Sequence, residues 1–276
     1  MSEPARTRGP LIAGTIICAA FLLAALIGLA WAPQDPTRMD IAHKLMGPSA
    51  AHWFGTDQFG RDVLSMLLVG AHLSLGVALL AVLIGLCAGV PLGLLAAATE
   101  GRGWSELVLR ANDLVFAFPS LLLAILITAV WGPGALTAIL AIGIFNVPVF
   151  ARLTRGSALS LWRRDFVLAA QVAGKGRVAI SLQHVLPNLA SLLLVQSTLQ
   201  LSLGVLAEAA LSYLGLGAQP PQPSWGRMLN EAQTLMAIAP RLAIVPGLAI
   251  VLAVLGLSAA GYAWCARHRP CCGCEQ

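Results

Sequence analysis

Long, uncharged apolar runs limit what this chain can fold into. The run at residues 11–31 carries no charge, and comparable runs recur almost to the end of the sequence. A helix needs roughly 20 apolar residues to cross the hydrocarbon core of a bilayer. Hydrophobic residues make up 58% of the 276 residues and charged residues only 11%, which excludes an ordinary soluble domain. The sequence therefore predicts an all-α, polytopic membrane protein.

Six segments are predicted to cross the membrane. The first could instead be a signal peptide, because Ala-Trp-Ala at 30–32 offers a cleavage site. Its apolar run exceeds the roughly 7 to 15 residues of a signal core, so we expect a retained helix. The predicted spans are 11–31, 71–98, 114–130, 135–150, 189–211 and 241–264.

Several details within these spans are predictable. In the second span, Gly76, Gly85, Gly89 and Gly93 are expected to form a smooth face for helix packing in lipid. Residues 100–113 are expected to be a cytoplasmic turn. Pro148 is expected to kink the end of the fourth span.

The Lys and Arg residues predict how the chain is oriented. With the N-terminus inside, twelve of the 17 basic residues fall in inner segments and five in outer ones. An excess of Lys and Arg marks the cytoplasmic side of a membrane protein. Both termini and residues 163–188 are thus predicted to lie in the cytoplasm.

Residues 163–188 form a long polar interruption that carries an ordered pattern. Ala169 and Ala170 precede Gly174, and Ala170 and Gly174 are predicted to share a helix face because they are four residues apart. Small side chains permit close approach by a partner. The pattern predicts a docking helix, and an ordinary amphipathic loop helix is the alternative.

The order A-A-x3-G, followed by x-x-L-P, resembles the EAA loop of ABC importer permeases. The resemblance implies a type I permease fold in which this loop docks on an ATPase subunit. Leu168 stands where the family has Glu, and His184 where Ile is common, so a polar contact to the ATPase is in question. The resemblance places ATPase coupling at Leu168, Ala169, Ala170, Gly174, His184, Leu186 and Pro187.

Two further stretches resemble the C-type permease subunits of dipeptide, oligopeptide and nickel importers. They are H-W-F-G-T-D-Q-F-G-R-D-V-L-S at 52–65 and the Pro-rich turn at 211–225. Trp225 is expected to anchor at the membrane interface. The resemblance implies a second homologous permease chain, two ATPase subunits that bind ATP and Mg, and an external substrate-binding protein.

The 52–65 stretch also contains charges that a local structure could pair. Gly55 and Gly60 are predicted to form tight turns, and Asp57, Arg61 and Asp62 an ion-pair cluster. A catalytic carboxylate pair is the alternative, but the surrounding sequence forms no cleft.

A polar stripe follows the fifth span at every fourth residue, through Gln196, Gln200, Gly204, Glu208 and Ser212. Because such a stripe is costly in lipid, it is expected to face a water-filled path or a neighbouring helix. Glu208 is a candidate functional residue, or it lies near enough to the outer interface to be solvated. The predicted pathway residues are Gln196, Gln200, Glu208 and Ser212.

The C-terminal tail is rich in possible metal ligands, which are Cys265, His268, Cys271, Cys272 and Cys274. These residue types suit zinc or an iron–sulfur cluster. Their spacing matches no established pattern, and adjacent cysteines hinder joint coordination. We predict no metal site.

The sequence offers no ATP site of its own. Gly174-Lys175-Gly176 lacks both the hydroxyl residue and the preceding glycine of a P-loop. No cofactor is predicted for this chain, and a membrane enzyme is not supported. A secondary transporter would show several intramembrane charges, whereas only Glu208 is present.

These observations and resemblances predict a non-enzymatic permease in a bacterial inner membrane. It would form half of the translocation pathway of a binding-protein-dependent importer for di- or oligopeptides, with nickel or a metal chelate as the alternative substrate. Its predicted division is an N-terminal helix and external loop at 1–70, a transport core at 71–265, and a tail at 266–276.

Overall fold

The computed structural model describes residues 31–101 and 103–267, with residues 16, 19–21 and 23–28 before them; residues 262–267 are described as backbone. In this part of the chain the regular structure is helical, apart from an isolated β-bridge between Thr56 and Asp62. The prediction of an all-α protein is confirmed. The predicted first span lies largely outside the described residues, and those described between 19 and 28 are helical.

The region described from residue 31 onward contains eight α-helices, which are named in chain order. α6 is continuous but contains a π-helical turn, Ser181–Val185, just before Pro187, which lacks an amide hydrogen. Short 3₁₀ turns occur at Ile41–His43 and Gln233–Leu235. The helices are α1 Val63–Ala98, α2 Gly103–Phe116, α3 Ser120–Trp131, α4 Ala135–Trp162, α5 Asp165–Val172, α6 Arg177–Tyr213, α7 Trp225–Ala232 and α8 Arg241–Arg267.

Four of these helices, α1, α4, α6 and α8, are long and apolar enough to cross a membrane. α2 and α3 meet at a bend of 87° around Pro119, and together they pass the same test. The described residues thus supply four spans, or five if the bent pair counts as one. Six were predicted.

Two helices extend beyond what the sequence predicted. Most of the predicted turn at 100–113 is helix α2, because the mixed charges there lie on one side of an amphipathic helix. Pro148 lies inside α4, which continues to Trp162. The face of α4 that packs in the core continues past the proline through Phe150 and Ala151, and membrane helices tolerate an internal proline.

α1 and α4 pack closely because α1 has glycines at three positions along the contact. A Cβ atom at Gly85, Gly89 or Gly93 would collide with α4, for example with the Val147 carbonyl oxygen at Gly89. The predicted packing role of these three glycines is confirmed. A Cβ at Gly76 would meet open space, so this glycine takes no part in the contact.

The bundle has two distinct ends. The loop end comprises residues 33–62 and 214–240, where the Gly134 amide bonds the Leu216 carbonyl and Arg241 bonds the carbonyls of Leu45 and Met46. The α5 end comprises residues 163–176 and the adjoining start of α6, where Arg177 bonds the last carbonyl of α1, at Ala98. α6 runs the full distance between the two ends.

Candidate functional site

Helix α5 is a two-turn helix that is attached to the body of the protein along one side. Val167 is fully buried and Ala170 is 8% exposed, and both belong to the core cluster at this end. On the other side, Leu168 is 46% and Val172 91% exposed, and Ala169 is exposed as well. α5 therefore presents an apolar face to its surroundings.

Gly174 lies beyond the end of α5. Its φ is +79°, its amide bonds the Gln171 carbonyl at 2.9 Å, and the Lys175 amide bonds the Ala170 carbonyl at 3.1 Å. These bonds terminate a helix through a left-handed residue, a conformation that favours glycine. The prediction that Ala170 and Gly174 share a helix face is wrong, because the helix ends between them.

The second half of the predicted coupling segment lies at the start of α6. The Lys175 ammonium lies 2.9 Å from His184 Nε2 and 3.1 Å from Gln183 Oε1, which ties the turn after α5 to α6. Leu186 and Pro187 follow at the π-helical turn. All seven predicted residues thus lie at the α5 end, although Ala170 faces inward.

The polar stripe on α6 faces the chain's own helices along most of its length. Gln200 Nε2 donates to Asn146 Oδ1 of α4 at 2.8 Å, and Ser212 Oγ donates to Glu208 Oε1 at 2.6 Å. Glu208 is 1% exposed and Gln196 is half-buried. Of the two surroundings left open by the sequence, the structure places the buried residues against neighbouring helices.

Glu208 lies where three parts of the chain meet. The hydroxyls of Ser74 on α1 and Ser224 at the start of α7 are close to its carboxyl group. Ser212, its hydrogen-bond donor, accepts the Ala218 amide at 3.1 Å, while Ser74 accepts the Trp225 amide at 3.3 Å. Glu208 is enclosed, so it is not solvated at an interface in this conformation.

A second polar group connects the loops at the loop end. Arg61 Nε donates to Asp57 Oδ2 at 2.6 Å, and the guanidinium also pairs with Glu231 of α7. Arg227 Nε donates to the other oxygen of Glu231 at 2.8 Å. The predicted pairing of Asp57 with Arg61 is confirmed, and the partners on α7 were missed.

Asp62 has a different role from the one predicted. Its carboxylate accepts the Ser65 amide at 2.8 Å and the Ser65 hydroxyl at 2.7 Å, which caps the start of α1. His52 Nδ1 lies 3.1 Å from the same carboxylate. The neighbouring turns at Gly55 and Gly60 have positive φ, as predicted.

Trp225 does not anchor at a membrane interface, contrary to prediction. It is 1% exposed, its indole N–H donates to the Leu67 carbonyl at 3.0 Å, and its ring meets Phe21 edge-on at 5.7 Å. The indole is buried because α7 packs against α1, α6 and α8. Gly70 of α1 leaves room for the ring, and Gly226 lets the α7 backbone approach Ala209 of α6.

Sequence reasoning missed Asn146, Ser74 and Glu231, which complete these polar contacts. Glu231 could have been found from the sequence, because Arg227 and Glu231 are four residues apart and would meet on any helix. Asn146 and Ser74 could not be found in this way, because each contacts a residue on a helix that is distant in the sequence. The Cys265 side chain and the other predicted tail ligands lie outside the described residues. Among the described residues there is no group of three or more potential metal ligands.

Comparison with known proteins places this geometry in a family. The model for binding-protein-dependent transport system inner membrane components matches residues 89–269. The dipeptide transport system permease protein of Alkalihalophilus pseudofirmus is 42% identical over 91% of this chain and 82% of its own length. The glutathione transport system permease protein of Escherichia coli is 45% identical over 78% of this chain and 71% of its own.

A solved structure shows the same fold. The MetNI methionine ABC transporter in an inward-facing conformation matches with a TM-score of 0.61 and 19% identity, over 74% of this chain and 97% of that one. The predicted type I importer fold is confirmed. The chain therefore belongs to the family of binding-protein-dependent transport system inner membrane components, the permeases of ABC importers.

Proposed function

We propose that the chain forms half of the translocation pathway of an ATP-driven peptide importer. A second homologous permease would form the other half, two partner ATPases would bind and hydrolyse ATP, and an external protein would deliver the substrate. Both termini would lie in the cytoplasm. Residues 71–265 would be the transport core, 1–70 an added helix and external loop, and 266–276 a cytoplasmic tail. The first core helix, α1, begins at Val63, eight residues before the proposed boundary of the core.

The exposed apolar face of α5 supports the coupling proposal most directly. A water-facing helix gains nothing from exposing Leu168 and Val172 unless a partner covers them. Val167 and Ala170 fix α5 to the body, so a push on the exposed face would move the α5 end as a unit. Leu168 and Ala169 would contact the ATPase, Gly174 would shape the turn, and His184, Leu186 and Pro187 would join it to α6.

The pathway assignment places Gln196, Gln200, Glu208 and Ser212 along the route of the substrate. Gln196 is half-buried and is the member with a partly free side chain in this conformation. Gln200, Glu208 and Ser212 would reach the pathway only if α6 separates from α1 and α4 during transport. We propose that Gln196 lines the path and that the other three adjust the position of α6.

Di- or oligopeptides are the substrate class that the relatives favour. Two of them are named for transport of dipeptide and of glutathione, itself a short peptide, and neither is named for nickel. Binding-protein-stimulated ATPase activity of the reconstituted transporter tests this proposal. Di- and oligopeptides should stimulate it; stimulation by nickel or nickel chelates alone would contradict it.

The coupling proposal is tested at Val172. Val172→Glu places a charge on the exposed face while leaving the buried side of α5 intact, because the valine is 91% exposed. We expect at least a tenfold loss of ATPase-subunit binding and of uptake, with normal membrane insertion. Val172→Leu keeps the face apolar and should retain both. Equal binding by the two variants would disprove docking through this face.

A further inference from the structure

Helix α2 has an apolar face that no described part of the chain covers. Trp104 is 65%, Leu107 57% and Leu114 65% exposed, and Ala111 is exposed between them. These positions recur at helical spacing, so they form one continuous stripe. A surface of this kind requires an apolar neighbour.

The other two sides of α2 are distinct. Ser105, Val108 and Asn112 are buried against the body of the protein. Charged residues occupy the remaining side, where Glu106 and Arg110 are exposed and four residues apart. The helix thus presents one side to the protein, one to water and one to an apolar medium, which is typical of helices that lie in a membrane interface.

The direction of α2 agrees with that position. α3 packs alongside α4, with Ala124 in the same core cluster as Ala138 and Ala141. Since α2 bends away from α3 by 87°, it runs across the bundle instead of along it. Because α3 packs beside α4, which is long enough to cross the membrane, a helix at right angles to α3 lies close to the plane of the bilayer.

The depth of α2 is fixed by its contacts with α4. The uncharged part of α4 extends from Ala135 to Ala151, about 25 Å at 1.5 Å per residue, and ends at Arg152. Arg152 bonds Asp113 of α2 at 2.8 Å and covers the ring of Phe116 at 4.4 Å. α2 therefore meets α4 where the apolar core of a bilayer, about 30 Å thick, gives way to charged groups.

We propose that α2 lies in the plane of the membrane, at the boundary between headgroups and acyl chains on the α5 side, with lipid covering its apolar stripe. The stripe is continuous with the exposed face of α3, where Leu122 and Leu126 are 52% and 57% exposed. Trp104, at the start of the helix, is a residue type enriched at this depth.

The test measures the depth of single nitroxide labels on the transporter assembled in lipid nanodiscs, in a chain whose native cysteines are replaced. Labels are attached through Leu107→Cys, Ala111→Cys and Leu114→Cys. Collision rates with oxygen and with a water-soluble nickel chelate report the depth. An in-plane helix places all three labels at one depth, within about 3 Å, and exposed to oxygen.

Two outcomes would overturn the proposal. A helix that crosses the membrane would place the label at 114 about 10 Å deeper than the label at 107. Exclusion of both reagents would mean that a protein partner covers the stripe. Glu106→Cys serves as the water-exposed control, and Leu122→Cys with Leu126→Cys on α3 should differ by about 6 Å, which calibrates the measurement.

Discussion

At the scale of single residues, a missing side chain decides whether α1 and α4 can pack. The α1 backbone at Gly89 is close enough to α4 that a Cβ atom would collide with the Val147 carbonyl and Phe150. We expect Gly89→Leu to destabilise the protein by about 1–3 kcal/mol, the usual range for overpacking, or to prevent its folding. Thermal unfolding in detergent measures the effect. Gly76→Leu on the same helix meets open space and should be neutral.

Arg61 is the residue on which the loop end depends most. It is 7% exposed and pairs with Asp57 and Glu231, so its removal leaves the buried Asp57 carboxylate without a charged partner and Glu231 with Arg227 alone. We expect Arg61→Ala to cost about 3 kcal/mol in the free energy of unfolding. The pair of Arg110 and Glu106 is exposed, with 3.9 Å between nitrogen and oxygen. Arg110→Ala should therefore cost less than about 1 kcal/mol, and an equal loss would contradict this reasoning.

At the scale of elements, the end of α5 depends on the backbone of Gly174. Both Gly174 and Gly176 have open space where a side chain would stand, but Gly174 has a φ of +79° and Gly176 one of −69°. Gly174→Ser should strain the turn by about 1–2 kcal/mol and weaken ATPase binding roughly 5- to 30-fold. Gly176→Ser tolerates its φ and gives α6 a favourable N-cap.

Binding of purified ATPase subunits to each variant distinguishes these effects. If the two serine variants bind equally well, the left-handed turn is not needed for docking. If both lose binding, the open space at the turn matters more than its backbone conformation.

The elements also show which features of the fold can be predicted from the sequence. The apolar runs identify α1, α4, α6 and α8 because the requirement for about 20 apolar residues is a local one. Local patterns likewise gave the turns at Gly55 and Gly60. The burial of Trp225 and the pairing of Gln200 with Asn146 join residues far apart in the chain. No spacing rule specifies such contacts, and they required the packed structure.

At the scale of the whole molecule, α6 links the two regions proposed to matter for transport. It begins beside α5, where Lys175 contacts His184, and its last turns carry Glu208, which lies close to Ser74 of α1 and Ser224 at the start of α7. Its 37 residues correspond to about 55 Å. A partner that displaces α5 would therefore also move the part of α6 at the loop end.

That linkage requires the two ends to lie on opposite sides of the membrane. The distribution of charge predicts which end is cytoplasmic and which is external. With the N-terminus inside, the sequence assigns twelve of the 17 Lys and Arg residues to the same side as α5, so the α5 end should be cytoplasmic and the loop end external. Arg38 and Glu100 are both exposed and lie on the two sides. In a cysteine-free background, Arg38→Cys should react with an impermeant maleimide in intact spheroplasts, whereas Glu100→Cys should react only after lysis. The reverse pattern would invert the orientation and place α5 where no ATPase could reach it.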